Sequence, residues 1–337
     1  MKKIFLILFA ALTVLAAYGQ NADLVYVDGW VDIKSGGEIF EAFPGDSLRA
    51  GDSVITGSDS IAELEQRDLS TIIVKSDSIF TIREIETDTG KETVLSTTVG
   101  SVSFKFGQLF GKEPQIATPS MVAGIRGTEL TVYAGEDGST LIAVDSGLVT
   151  VESQGVSVDL AKDEGVEVLP GEVPGEKFSL LGRELDFSSW NAEKYDVLMA
   201  DPVAGLVRFG NQLDGFVGDI RGVEHTREIN AQKKEILLEK MEQLKESDGE
   251  EKAKVFHKEY IEPLVLIEAP MYLNIRYHTL SALSFRRYIM GKFYLEMKSK
   301  YIFDAGNSEY TEFLAIYNRI LNDFEIYIVP YMNPRDL

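Results

Sequence analysis

The sequence contains no cysteine among its 337 residues, and it has only three histidines. Without cysteine there is no disulfide, no thiolate nucleophile and no lipobox for acyl anchoring, so the fold depends on its core alone. His225, His257 and His278 lack the His-x-x-x-His spacing of a zinc helix, and we expect surface or core positions for them. The sequence therefore predicts no metal site and no cofactor.

Motifs of the common enzyme classes are also absent. The chain has no nucleophile elbow, no phosphate-binding loop, no dinucleotide fingerprint and no EF-hand. Asp46, Asp52, Asp59 and Asp137 fall in predicted turns, where an aspartate side chain accepts hydrogen bonds from nearby backbone amides. We therefore predict a non-enzymatic protein, since a hydrolase would need a cleft with converging acids.

Positive charge is scarce, with 33 basic against 54 acidic residues and a formal net charge of -21. The deficit is concentrated in residues 20–186, which carry 30 acidic and 12 basic side chains, against 24 and 19 in residues 187–337. A surface of this sign repels phosphate backbones. We predict no nucleic-acid partner.

Long apolar runs occur only at the N terminus. Lys2-Lys3 precede the apolar run from Ile4 to Ala17, and Ala17-Tyr18-Gly19 is a small-x-small cleavage site. The run is shorter than the roughly 20 residues of a membrane-spanning helix. We predict a signal peptide at residues 1–19, cleaved after Gly19, and a periplasmic or secreted protein that is not integral to the membrane. A retained anchor is the alternative.

Residues 22–170 show short alternating runs separated by Gly, Asp and Ser, which predicts an all-β domain. Asp137-Gly138 is typical of a hairpin turn. A weak repeat begins at Gly29, Gly100 and Gly147, each followed by apolar residues two and four positions later. Such a pattern fits coils of a β-solenoid or equivalent strands of a sandwich, so we expect a β-sandwich or a short β-helical roll.

One stretch of this domain, residues 115–132, predicts a strand, a break at Pro119, a crossing through Ala123-Gly124 and a second strand from Thr128. Its motif resembles the signature of the FecR-type periplasmic domain family. Upstream, Gly51-Asp52 lies in one of two Gly-Asp-rich turns that match the same family. The motif residues that carry the resemblance are Thr118, Pro119, Gly124, Arg126, Gly127 and Thr128.

The resemblance covers residues 22–170 and implies a FecR-like β domain with a protein partner in the cell envelope. The best-known members of the family relay the state of an outer-membrane receptor to a sigma factor through an inner-membrane anchor. This sequence shows neither a cytoplasmic anti-sigma segment before its apolar stretch nor a second span. Direct regulation of a sigma factor is therefore not what we expect.

Arg126 has two interpretations. The structural one is a partly buried arginine in a constrained turn, hydrogen-bonded to carbonyls or to a carboxylate such as Glu129 or Asp145. The functional one is a contact for an anionic ligand or partner. Flanking glycines more often fix a backbone than present a side chain, which favours the structural interpretation.

Residues 171–188 are rich in Pro and Gly and predict a linker, and residues 189–337 predict an α-helical bundle. Ser188-Ser189 is the predicted N-cap of its first helix, and Ser247-Asp248-Gly249 is a predicted helix end. The expected helical segments are residues 203–217, 229–244, 250–260, 271–301 and 309–327.

The segment 271–301 is basic and rich in aromatic residues. Such a helix can lie on an anionic membrane or bind an acidic polymer. Alternatively, its rings are bundle core and its cations face acidic neighbours, which we favour. The candidate interaction residues are Arg276, Arg286, Arg287 and Lys292.

Two functions remain open at this point. The first is an envelope protein-interaction module that uses the β domain as a docking surface. The second is binding of a cell-wall glycan or another polysaccharide, which an exposed Trp30 would support.

Overall fold

A computed structural model describes residues 22–66, 70–87, 90–107, 114–183 and 185–332. Strands form the first half of this range and helices the second, which confirms the predicted fold class. The predicted signal peptide, residues 1–19, lies outside the described residues.

Fifteen strands of the described part join one continuous sheet. Most run antiparallel to their neighbours, and β9–β10 is a parallel pair. The strands are β1 (Ala22–Asp28), β2 (Val31–Ser35), β3 (Glu38–Glu41), β4 (Ser47–Leu48), β5 (Ser53–Thr56), β6 (Ile61–Glu65), β7 (Thr71–Val74), β8 (Ile79–Thr87), β9 (Gly90–Lys105), β10 (Gln115–Ala117), β11 (Val122–Ala134), β12 (Thr140–Ser153), β13 (Val156–Ala161), β14 (Glu164–Val168) and β15 (Phe178–Ser179).

The sheet folds back on itself into two layers. One layer has the order β4-β1-β6-β7-β9-β11-β12-β14-β15. The other has the order β3-β2-β5-β8-β9-β10-β11-β12-β13. The long strands β9, β11 and β12 belong to both layers, and they bend at Gly100, Gly127 and Gly147, which all have positive φ.

The weak sequence repeat marks these bends. Gly29, Gly100 and Gly147 have φ values of 78°, 100° and 86°, and each lies where the chain passes from one layer to the other. The coils of a parallel β-helix stack parallel strands. Because the strands beside these glycines pair antiparallel, the repeat reflects equivalent corners of a sandwich, and the sandwich alternative is the one adopted.

Both layers contribute side chains to one core. Phe104 from the first layer and Phe80 from the second lie with ring centroids 6.1 Å apart. The strand patterns explain this packing, because β5, β6 and β7 alternate buried and partly exposed residues, with one face turned inward.

The β11–β12 connection contains the predicted Asp137-Gly138 turn, which is confirmed. Gly138 has a φ of 83°, and its amide donates to the carbonyl of Gly135 at 3.0 Å. Asp137 is buried and accepts two hydrogen bonds from Ser139, at 2.9 Å from the amide and 2.5 Å from the hydroxyl. Turn stabilisation by this aspartate is therefore observed.

Burial raises the pKa of the Asp137 carboxyl, although the Ser139 hydrogen bonds and the charges of Lys194 and Arg208 oppose the shift. A carboxyl with a raised pKa binds its proton more tightly in the folded state, so its contribution to stability falls as pH rises from the unfolded pKa through the folded one. We expect the unfolding free energy of Asp137→Asn, relative to the unmutated protein, to increase over that pH range. Urea unfolding between pH 4 and pH 7 measures it, and a pH-independent difference would contradict the assignment.

The C-terminal half contains seven α-helices in its described part. Two π-helical turns, His257–Ile261 and Phe285–Met290, join helices end to end, and a 3-10 turn spans Val329–Met332. The helices are α1 (Phe187–Ala200), α2 (Pro202–Asp248), α3 (Glu250–Phe256), α4 (Glu262–Leu266), α5 (Glu268–Ser284), α6 (Gly291–Lys300) and α7 (Ser308–Tyr327).

Two predicted helix boundaries differ from the structure. The N-cap of α1 is Asp186, whose carboxylate accepts from the Ser189 amide at 3.0 Å, rather than the predicted Ser188-Ser189 pair. The two helices predicted at 203–217 and 229–244 form one 47-residue helix, α2, because no proline separates them and a helix tolerates the intervening Gly218 and Gly222 at roughly 1 kcal/mol each. Its predicted end is confirmed, since Gly249 is the C-cap with a φ of 90°.

Aromatic rings hold the helical core together. Phe285 and Phe293 lie edge-on to Phe209 of α2, with centroids 5.2 and 5.7 Å away. Phe293 also contacts Phe313 of α7 at 5.2 Å. The aromatic residues of the segment 271–301 are therefore largely bundle core, as favoured from the sequence.

The segment predicted as a linker, residues 171–188, packs between the halves. It contains β15 and the start of α1, and Phe178 and Phe187 pack against a small cluster that includes Tyr133. Polar bonds join the same regions: Trp190 Nε1 donates to Glu167 at 2.8 Å, and Lys194 lies 2.7 Å from that carboxylate. The two halves are thus docked on each other.

Candidate functional site

The predicted turn around Ile125-Arg126 is not present. Strand β11 runs without interruption from Val122 to Ala134, and Gly124 pairs regularly with Thr150 on β12. The register shifts one step later, between Arg126 and Glu129, where Gly127 has a φ of 56°. The motif therefore forms the bend of a long strand and not a crossing between two strands.

Arg126 is exposed, so the expectation of a partly buried arginine is wrong. The reason is strand alternation: Ile125 points into the core, which turns Arg126 outward. Glu129, one of its expected partners, instead faces Lys105 at 3.9 Å. Within the described residues, Arg126 has no ion pair or hydrogen bond from its side chain.

The Thr118-Pro119 end of the motif is held by hydroxyl groups. Thr118 Oγ1 lies 2.6 Å from Thr140 Oγ1, and Ser120 Oγ lies 2.8 Å from the same atom. Ser153 donates to the carbonyl of Ser120 at 2.8 Å. Thr128, at the other end, is buried. The hydroxyl contacts of Thr118 and Ser120 with Thr140 and Ser153 fix the loop between β10 and β11.

Gly51 and Asp52 form a turn before β5. The Arg49 amide donates to the Asp52 carboxylate at 2.8 Å, and the Asp52 carbonyl accepts from the Ile82 amide at 3.1 Å. Asp52 is buried, and Gly51 has a φ of 99°. Both residues serve the backbone in this structure.

A polar cleft of about 480 Å³ lies between the halves, beside Thr118-Pro119. His278 Nδ1 approaches Asp219 Oδ2 at 3.3 Å within it. The nearby hydroxyls are engaged elsewhere, since Ser281 donates to the carbonyl of Tyr277 at 2.9 Å and Ser153 to backbone carbonyls. The described part of the cleft therefore shows no nucleophile bonded to a base, the arrangement that covalent catalysis requires.

Metal ligands are likewise not gathered in the part of the chain that the structure covers. Among the described residues, no group of three His, Cys, Asp or Glu side chains could hold an ion. The three histidines are separated, with His225 on α2, His257 at a π-helical turn and His278 on α5.

The candidate cations of the basic segment are used in different ways. Arg286 lies 3.6 Å from Glu325 and stacks 4.8 Å from the Phe324 ring, and Lys292 pairs with Glu136 of the β half. Arg287 and Arg276 are exposed. The pairing with an acid of the β half is the alternative favoured from the sequence, while Arg276 and Arg287 are left at the surface.

Four large apolar side chains are exposed in and beside the open edge strand β3. Trp30, Ile39, Phe40 and Phe43 are 70%, 59%, 45% and 57% exposed. Strand β3 pairs with β2 alone among the described strands. The sequence analysis missed β3 because the run is only four residues long and lies between Gly36-Gly37 and Pro44.

Backbone groups of β3 are also available for pairing. The Ala42 amide donates to the Val31 carbonyl at 2.9 Å, which places Ala42 among the residues that bond to β2. Because hydrogen-bonding direction alternates along an antiparallel strand, the amides of Ile39 and Glu41 point away from β2. An exposed apolar edge of this kind is a template for a further strand.

The β half matches a known protein family. Residues 52–150 match the model of the family described as FecR protein. The β half is thus similar to the FecR family over residues 52–150. The matched residues run from Asp52 to Thr150, which spans β5 to most of β12 and includes the whole Thr118–Thr128 motif. The predicted resemblance is confirmed over this range, while Gly51 and the remainder of residues 22–170 lie outside the match. No family model matches the C-terminal half.

Solved structures give a more distant likeness. Two crystal structures of a candidate anti-sigma factor from Parabacteroides distasonis, at 1.65 and 2.50 Å, align with 18% and 17% identity and a TM-score of 0.33. Each alignment covers 38% of this chain and 59% of that chain, less than two thirds of its length. The search of curated proteins returned no match.

None of the helices in the described ranges combines the length and the apolar character of a membrane-spanning segment.

Proposed function

We propose that this protein is an exported, non-enzymatic interaction module of the cell envelope, and that its FecR-type domain binds a protein partner along strand β3. The observation that carries this proposal is the β3 edge, where backbone amides that point away from β2 coincide with exposed Ile39, Phe40 and Phe43. The family match and the predicted signal peptide support an envelope location.

The expected occupant is an extended segment of an envelope protein that adds an antiparallel strand to β3. Main-chain hydrogen bonds would supply affinity, and apolar side chains would supply specificity. Glu38 and Glu41 are exposed on β3, and Asp32 lies opposite Glu41 on β2. These acids favour a partner segment that carries basic residues beside its apolar ones.

The helical half supports this role because several contacts attach it to the β half. It joins the β half through Lys292–Glu136, Trp190–Glu167 and packing of the segment 171–188. A docked second half presents its surfaces at a fixed orientation to anything bound by the first. This arrangement fits an assembly module better than two independent domains joined by a flexible linker would.

One observation favours glycan binding as a second candidate. Trp30 is 70% exposed, and its Nε1 donates to Asp32 at 3.2 Å, which orients the indole beside a carboxylate. An exposed ring beside polar acceptors can stack on a sugar face and bind its hydroxyls. The surface is the same as that proposed for the protein partner, so the two candidates require separate tests.

A photocrosslinking amino acid at Phe43 in intact cells tests the protein partner. We expect a discrete adduct at Phe43 that does not form when the crosslinker replaces Leu181, which is 73% exposed outside this edge. Adding Ile39→Lys should reduce the adduct about tenfold, because an edge lysine blocks strand addition, whereas Ile39→Val should preserve it. Identical adducts at Phe43 and Leu181, or insensitivity to Ile39→Lys, would contradict the proposal.

Retention on peptidoglycan tests the second candidate. Binding that is lost in Trp30→Ala but kept in Ile39→Lys would assign the surface to a glycan. Binding kept in both variants, or absent in the unmutated protein, would remove that candidate.

A further inference from the structure

A second cavity lies on the helical half, away from the family motif. It occupies about 400 Å³ between α5 and the 3-10 turn at Val329–Met332. Ligand sites in proteins commonly have volumes of roughly 300–1,000 Å³ with mostly apolar walls. The walls of this groove are made by Leu273, Leu280, Leu283, Met332 and the rings of Tyr272 and Tyr331.

One cation stands at this groove. Arg276 lines it and is exposed, and among the described residues its side chain has no ion pair, hydrogen bond or ring contact. Thr279, which also lines the groove, donates to the carbonyl of Ile275 at 2.7 Å. The guanidinium of Arg276 is therefore the charged group of the groove wall that is free to bind a ligand.

Neighbouring charges do not neutralise Arg276. Glu224 of α2 is engaged by a residue of the groove wall, since it accepts a hydrogen bond from Tyr331 OH. Two further arginines lie on that side, with Arg227 4.7 Å from the Tyr272 ring and Arg221 4.7 Å from the Tyr327 ring. In a chain with a net charge of -21, this groove is a local site of positive charge.

We propose that this groove binds a single-chain amphiphile with an anionic carboxylate head, such as a fatty acid. The acyl chain would lie against Leu273, Leu280 and Leu283, where burial of apolar surface drives binding. The carboxylate would accept hydrogen bonds from Arg276, whose planar fork suits two carboxylate oxygens. Because the protein is acidic overall, it repels an anionic ligand at long range. Binding of the carboxylate therefore requires direct contact with Arg276.

Dodecanoate, used below its micellar concentration with the full chain, tests the proposal by calorimetric titration. We expect one bound molecule per chain. Arg276→Gln should weaken dodecanoate binding about tenfold or more, the loss expected when a charge-assisted hydrogen bond is removed. The same change should alter binding of uncharged dodecanol by less than about twofold, because only the head group differs.

Two further variants complete the test. Leu280→Asp should abolish binding of both probes, since it places an acid in the apolar wall. Arg287 is an exposed arginine in the π-helical turn that follows α5, and it lies outside the groove. Arg287→Gln should leave the affinities for dodecanoate and dodecanol unchanged. Circular dichroism verifies that each variant is folded.

Three results would overturn the proposal. The first is no dodecanoate binding by the unmutated protein. The second is equal weakening by Arg276→Gln and Arg287→Gln. The third is equal affinity of the unmutated protein for dodecanoate and dodecanol, which would make the groove an apolar contact surface instead of an anion site.

Discussion

The substitution Gly147→Ala is expected to reduce the unfolding free energy of the β half by about 2–5 kcal/mol. Gly147 has a φ of 86° where β12 bends between the layers, and L-residues pay roughly 1–2 kcal/mol in the left-handed region. An added Cβ would also lie 2.4 Å from the Gly127 carbonyl oxygen and 2.8 Å from Thr128 Cγ2. Because the first of these contacts is backbone, the bend must shift, and overpacking typically adds roughly 1–3 kcal/mol.

The motif itself supplies matched controls. Gly124 lies in regular strand with open space where its Cβ would be, so Gly124→Ala should change stability by less than about 0.5 kcal/mol. Gly127 has a φ of 56° but also open space, so Gly127→Ala should cost only the roughly 1–2 kcal/mol of backbone strain. Urea unfolding midpoints of the three variants measure these changes in stability. A Gly124→Ala effect as large as that of Gly147→Ala would refute this account of the bend.

The expected order of stability losses among the three glycine variants changes the interpretation of the family motif. The sequence drew attention to the glycines that flank Ile125-Arg126, but the closest approach at the bend is made by a glycine of the neighbouring strand. Gly147 contacts the backbone of Arg126 and Gly127 across the β11–β12 ladder. The motif is a local sequence feature whose geometry depends on a residue 20 positions away.

Features fixed by local chemistry were predictable from the sequence. The Asp137-Gly138 turn and the Gly249 helix end follow from side-chain acceptors and positive φ, which depend on adjacent residues. The helix predicted at 309–327 is observed as Ser308–Tyr327 for the same reason, since Asn307 caps it through the Glu309 amide.

Features that depend on tertiary contacts were not predictable in this way. Glycine serves both turns and strand bends, so its presence could not distinguish a crossing at Gly124 from the bend at Gly127. Strand β3 has no periodicity of its own because it is short, and only its pairing with β2 defines it. The apolar groove at Arg276 requires α5 and the Val329–Met332 turn to meet, although they are separated by more than 40 residues.

Docking of the halves depends on a group that the sequence did not single out. Arg83 of β8 reaches into the helical half, where its Nη1 donates to Ser281 Oγ at 2.8 Å and its Nη2 to Ser284 Oγ at 3.3 Å. Its guanidinium also lies 5.7 Å from the Tyr277 ring centroid. Burial lowers the pKa of Arg83, and no ion pair of the described residues includes it.

We expect the double variant Ser281→Ala/Ser284→Ala to destabilise the protein by about 2–3 kcal/mol, because it leaves a mostly buried cation without hydrogen-bond acceptors. The loss should appear as faster amide exchange in α5 and β8, the elements that Arg83 joins, together with a lower urea midpoint. Ser299→Ala, at an exposed serine of α6, should change stability by less than about 0.5 kcal/mol.

The variant Arg83→Met distinguishes two contributions to this contact, the hydrogen bonds that the buried guanidinium requires and the packing of the side-chain stem. Methionine keeps much of the apolar stem and removes the charge, so nothing at that position then requires Ser281 or Ser284. We expect Arg83→Met to cost less than the double serine variant, and the serine changes to add little in its background. The contrary result is that the serine changes cost as much in the Arg83→Met background as in the unmutated protein. In that case the serines would stabilise α5 itself, where Ser281 also donates to the Tyr277 carbonyl. The Arg83 guanidinium would then not contribute to the contact between the halves.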